Sequence, residues 1–121
     1  MKSPRQRIEE QHQIALVAWF RFQYPEFKDL LYIIANGENV GARRMARLKR
    51  LGLVPGMPDL MLAVTTNTAP GLYIEMKSPT GRLQDSQRNI HEQLRNQKYK
   101  VIVCYNWDDA KQEIKKYLNE E

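Results

Sequence analysis

The sequence predicts a single α/β domain with a mixed sheet and elements in the order α-β-α-β-β-α-β-α. Three observations lead there. Short apolar runs bounded by Gly, Pro and Asn alternate with stretches whose apolar residues recur at helical spacing. The 121 residues, 42% apolar and 27% charged, fit one domain that buries about two thirds of its surface without a disulfide staple. Two of the apolar runs, 60–64 and 72–76, flank the turn-rich Thr65-Thr66-Asn67-Thr68-Ala69-Pro70-Gly71 and so read as a hairpin.

The first helix is expected from Arg5 to Tyr24, because Ile8, Ala15, Leu16, Trp19 and Phe20 recur at helical spacing and no breaker intervenes before Pro25. Glu9 and Gln13 stand i,i+4 apart, and continuing their stripe gives Val17 and Phe20. They are either the polar margin of the core or a carboxylate and an amide aimed at a site. Glu10, on a different azimuth, is the alternative carboxylate. His12 has no second histidine at a metal-ligand spacing.

Leu30 to Ala35 reads as a buried strand stopped by Asn36-Gly37. A helix follows, with Met45, Leu48 and Leu51 as its apolar stripe and Gly52 as a left-handed cap. Arg43, Arg47 and Arg50 fall at i, i+4 and i+7, flanked by Arg44 and Lys49. A solvated face would look the same, but five cations without an acid also suit phosphates. Pro55-Gly56-Met57-Pro58 then forces a bend immediately before Asp59.

Beyond the hairpin, a helix over about 83–97 carries Leu83, Ile90 and Leu94 on its buried stripe, with Gln87 where another apolar residue belongs. A buried amide without partners costs about 1–3 kcal/mol, so a loop or a site must satisfy it. His91, one turn on, reads as a half-buried helix residue. A strand from Tyr99 to Tyr105 precedes the last helix, 107–118, with Asn106 as N-cap and Asp108 and Asp109 complementing the dipole. Asn119-Glu120-Glu121 reads as a tail.

The chemistry gathers at the hairpin. If its midpoint is Asn67, Asp59 lies opposite Glu75, since each is eight residues from the centre. Directly paired Cβ atoms are about 4.5–5.5 Å apart, and two carboxylates at that distance repel unless a cation intervenes. The period of two puts Lys77 on the face of Glu75, while Leu72, Ile74 and Met76 point into the core. Magnesium binds through one or two protein carboxylates and waters, so Asp59 and Glu75 suit it, with the backbone carbonyl of Met76 as a further oxygen. Lys77 is then placed to orient a water or offset charge growing on phosphorus.

Other classes find less support. No GxSxG, Gly-rich phosphate loop or HExxH is present, and Cys104 is the lone cysteine, which excludes an internal disulfide and a cysteine-rich zinc site. No apolar run approaches the ~20 residues of a membrane span, and the first residues lack the apolar segment of a signal peptide, so a cytoplasmic protein of a bacterium or phage-infected host is expected. Nineteen Lys and Arg against 14 Asp and Glu, a net +5, admit a polyanionic partner. A non-catalytic nucleic-acid-binding domain remains the competing class, and nothing in the residues separates a DNA from an RNA enzyme.

Asp59, Glu75-Met76-Lys77 and their surroundings resemble the PD-(D/E)xK nuclease superfamily, with its restriction-endonuclease-like core, and within it the small standalone VRR-NUC nucleases of phages and bacteria. The resemblance covers nearly the whole chain and rests on Glu9, Gln13, Asn36-Gly37, Gly56-Met57-Pro58-Asp59, Leu72 to Lys77, Gly81-Arg82-Leu83, Gln87 and Tyr99-Lys100-Val101. It implies that Asp59 and Glu75 bind Mg²⁺ or Mn²⁺, that Glu9 joins the metal shell, that Lys77 is catalytic and that Gln13 and Gln87 support them. It also implies a homodimer cutting branched DNA such as four-way (Holliday) junctions, with Arg43, Arg44, Arg47, Arg50 and Arg82 as candidate DNA contacts. Ala35, where relatives often carry proline, and Gln84, where a capping serine is common, depart from the pattern.

Overall fold

The computed structural model describes residues 2–37 and 40–119. Among them run α1 (Pro4–Gln23), a 3-10 segment (Pro25–Leu30), β1 (Leu31–Ile33), α2 (Ala42–Arg50), β2 (Leu60–Leu62), β3 (Leu72–Met76), α3 (Asp85–Asn96), β4 (Lys100–Cys104) and α4 (Trp107–Leu118). The strands form one mixed sheet in the order β1-β2-β3-β4, antiparallel except for the parallel β3–β4 pair. This is the expected α/β order.

The hairpin register is the expected one. Leu60 pairs with Ile74, Met61 with Tyr73 and Leu62 with Leu72, each pair equidistant from Asn67. One sheet face carries Leu31, Leu60, Leu62, Leu72, Ile74, Met76, Ile102 and Cys104 into the core, against Leu16 and Phe20 of α1 and Ala110, Ile114 and Tyr117 of α4. Tyr117 donates its hydroxyl to the Val64 carbonyl at 2.6 Å, tying α4 to the end of the hairpin. His12 accepts from the Trp107 amide at 3.1 Å, so it joins α1 to the start of α4. Asn106 caps α4 as expected, accepting from the Asp109 amide at 2.8 Å.

Several boundaries differ from the sequence reading. The first strand is only three residues long and is an edge strand rather than a buried one, with Tyr32 and Ile33 exposed. The 3-10 segment that begins at Pro25 absorbs Leu30, and the chain leaves the strand after Ile33. The second strand ends at Leu62, where the hairpin turn takes over with Thr66 N–H bonding the Ala69 carbonyl at 2.9 Å. Leu51, expected in an apolar stripe, is 73% exposed. It stands at the C-cap of α2, and Gly52 (φ 109°) turns the chain so that the Leu53 amide bonds the Leu48 carbonyl at 2.9 Å and Leu53 is half-buried instead. Ile8 is likewise exposed, and the buried residues of α1 are Leu16 and Phe20. Glu120 and Glu121 of the expected tail lie outside the described residues.

Candidate active site

Asp59 emerges where the bend before β2 meets α3. Pro58 is buried, and Gly56 has φ 90° with a hypothetical Cβ only 2.7 Å from the Ser86 carbonyl oxygen, so no side chain fits there. The Asp59 carbonyl accepts from the Ile34 amide at 2.8 Å, prolonging the β1–β2 ladder, and its Oδ2 accepts from the Met76 amide at 2.7 Å. Both ends of this residue are therefore fixed by backbone.

Across the ladder, Glu75 is 2% exposed and faces Asp59. Its Oε1 lies 3.3 Å from Nε2 of His91, on α3. Lys77 is nearly buried, its amide bonded to the Cys104 carbonyl at 2.8 Å, so the strand geometry that orients its side chain continues past the end of β3. Gly81 N–H returns to the Ser78 carbonyl at 2.9 Å, a tight turn that brings Arg82 to the rim.

These groups line a cleft of about 550 Å³ whose walls include Glu9 of α1, Gly56, Asp59, Glu75, Lys77, Arg82 and Gln87. An adjoining hollow of about 200 Å³ holds Glu9, Gln13 and Asn36 around the other side of Asp59. Glu9 and Asp59 thus border both, while Gln13 meets Asp59 but does not line the larger cleft. Glu10 pairs with Lys2 and lines only the smaller hollow, whereas Glu9 lines both and acts electrostatically on Glu75. Gln87 reaches the cleft, but its Oε1 accepts from the Gln84 amide at 2.9 Å. Gln84 therefore makes the N-terminal cap of α3 in place of serine, and the buried-face amide is satisfied in large part by capping.

Burial pushes Glu75 up to about 9, helped by the charge of Asp59, the hydrogen bond shared with it and the charge of Glu9, and opposed by Lys77. Burial raises Asp59 too, offset by hydrogen bonds from Glu75 and the Met76 amide and by Lys77. The pair therefore retains a proton near neutral pH unless a cation replaces it. Burial, Arg95 and Lys77 lower His91, which favours the neutral imidazole. Among the described residues no three acidic, histidine or cysteine side chains form a ready-made cation cage. Two hard oxygen donors and room for water suit an ion that keeps much of its hydration.

The arginine stripe is apart from this. Arg43, Arg44, Arg47 and Arg50 are exposed on α2, which contributes no residue to the cleft. The arginine that lines it from α1 is Arg5, which the sequence reading passed over. Its signal was present, since Arg5, Glu9 and Gln13 follow one another at i,i+4. His91 was also missed as a site residue, though it sits one turn beyond Gln87 on the same stripe.

The VRR-NUC domain model matches residues 5–107. No curated protein matches the chain. A solved structure described as a VRR_NUC domain protein superposes with a TM-score of 0.81 at 22% identity, covering 98% of this chain and 91% of its own.

Proposed function

The chain belongs to the VRR-NUC domain family, a nuclease-type family, and from that premise we propose that it is a divalent-cation-dependent DNA endonuclease acting on branched DNA such as four-way junctions. The observation that carries the reading is the juxtaposition of half-buried Asp59 and buried Glu75 across the ladder, beside Lys77 in a cleft bordered by arginines. A non-catalytic binding surface has no use for two paired acids facing a phosphate.

Asp59 and Glu75 hold Mg²⁺ or Mn²⁺ in this reading, with Glu9 adding to the shell and the Met76 carbonyl offering a further oxygen. Such an ion supplies positive charge that polarises a phosphodiester and makes a water a usable nucleophile at neutral pH. The chain's own residues do the rest. The Met76 N–H holds Asp59 in one orientation, so little reorganisation is needed when charge builds in the cleft. Hydrolysis adds a water oxygen to phosphorus as one ester oxygen departs, and the Lys77 ammonium orients that water or offsets the added negative charge. Gln13 and Gln87 support the acids from the two helices, and Arg82 engages a neighbouring phosphate. A homodimer presents two such sites to the two strands of a junction.

Labelled four-way, branched and linear duplexes incubated with Mg²⁺, Mn²⁺ or chelator test this directly. Chelator-sensitive cleavage, strongest on branched forms, is expected. Lys77→Ala abolishes it while leaving branched-DNA binding largely intact. Folded protein that cuts no DNA form with either metal would remove the reading, and sedimentation tests the dimer separately.

A further inference from the structure

Glu75 is held very differently from its partner acid. Asp59 is short and takes a backbone N–H at 2.7 Å, whereas the longer side chain of Glu75, 2% exposed, meets other side chains. Its side-chain neighbours are Asp59, which shares a hydrogen bond with it while the pair holds a proton and repels it when both are charged, and Lys77 and Glu9 at the level of electrostatics. The neutral group within hydrogen-bond reach is the His91 imidazole, Nε2 to Oε1 at 3.3 Å.

His91 itself is awkwardly placed. It is 1% exposed on the buried stripe of α3, and its Nδ1 is buried without a hydrogen-bond partner among the described residues. An aliphatic side chain at this position would pack on the sheet and leave no orphaned nitrogen. Fold stability alone therefore gives no reason for an imidazole here. The contact with Glu75 does give one.

We propose that His91 is a positioning residue whose Nε2–H fixes the Glu75 carboxylate in the orientation that presents its oxygens, together with those of Asp59, to a divalent cation. The assignment rests on the proposed cation site and deepens it. At 3.3 Å the hydrogen bond is long, and it shortens when the carboxylate carries full negative charge toward the ion. The role reaches the ion only through Glu75. It is the arrangement in which an outer partner orients a metal ligand, and losing such a partner weakens metal binding about 10–100-fold.

The test is Mn²⁺ binding to chelator-stripped protein, followed by the spin-resonance signal of free Mn²⁺, for the wild type and for Glu75→Gln, His91→Leu and His91→Gln. Glutamine places an amide nitrogen near the position of Nε2 and so keeps the donor. The wild type is expected to bind, Glu75→Gln to lose binding, His91→Leu to bind about 10–100-fold more weakly, and His91→Gln to return within a few-fold of wild type. Melting in chelator is expected to leave His91→Leu at least as stable as wild type. Mn²⁺ binding by His91→Leu equal to wild type would overturn the role of His91 and leave the cation site standing. Equal weakness of the Leu and Gln variants would also overturn it, since the donor would then not be what matters. No Mn²⁺ binding by the wild type would overturn the cation reading itself, and the role of His91 with it. Should His91→Leu fail to fold, the Gln variant decides, with near-wild-type affinity supporting the assignment and weak binding refuting it.

Discussion

Glu75→Gln is expected to stabilise the cation-free protein at alkaline pH, and the size of the effect follows from the burial of Glu75 beside Asp59. Glu75 is raised from 4.5 to about 9 by burial first and then by Asp59. The folded state therefore keeps a proton that the unfolded chain releases. A group raised in this way contributes stability below its unfolded value and loses it progressively as pH rises through the folded value, here from about 4.5 to about 9. The slope for one proton is about 1.4 kcal/mol per pH unit. Between pH 7 and pH 8.5, above the ordinary range of histidine, the wild type should lose about 2 kcal/mol that the glutamine variant does not. For a domain of this size that is roughly 5–10 °C of melting temperature. Thermal melts in chelator across that range, wild type against variant, measure the difference. Added Mg²⁺ should restore the wild type at pH 8.5 and leave the variant unchanged, because the ion replaces the proton between the acids. Parallel melting curves for the two proteins from pH 7 to pH 8.5 would refute the claim that Asp59 and Glu75 share a proton.

Gly56→Ala places a Cβ 2.7 Å from the Ser86 carbonyl oxygen at φ 90°, so a loss of roughly 1–3 kcal/mol is expected by chemical denaturation, with cleavage falling further because the bend sets Asp59. Arg82→Ala is expected to reduce cleavage more than the combined Arg43→Ala and Arg47→Ala change, whose effect should be confined to salt-dependent DNA affinity; equal cleavage rates for the two variants would place the exposed helix at the site after all. Tyr117→Phe removes the 2.6 Å bond to the Val64 carbonyl and should cost about 1–2 kcal/mol of stability while leaving Mn²⁺ affinity unchanged.

The pairing of Asp59 with Glu75 was legible because hairpin symmetry about Asn67 is a local rule, and it needs only the turn and the period of two. The same holds for the Gly52 cap and the Asn106 cap, where one residue type meets a backbone requirement within a few positions. Gln87 was legible only as a misfit on an apolar stripe. Its use, accepting from the Gln84 amide, depends on where α3 begins, and that is Asp85 rather than Leu83. The arginine stripe was regular in sequence, yet a helix face reveals periodicity and not what lies opposite it.

By itself the sequence determined the element order, the strand register, the face shared by Glu75 and Lys77, and the candidacy of Glu9 and Gln13. Only the tertiary structure decided which helix side chains reach that face. It brought His91 to Glu75, put Glu9 rather than Glu10 on the larger cleft, put Arg5 instead of the α2 arginines there as well, and used His12 to anchor the Trp107 amide. The physical reason is the range of the forces involved. Alternation and turn chemistry act within a few residues, whereas the approach of α1 and α3 to the ends of β2 and β3 is set by packing both sheet faces at once, and no spacing along the chain encodes that distance.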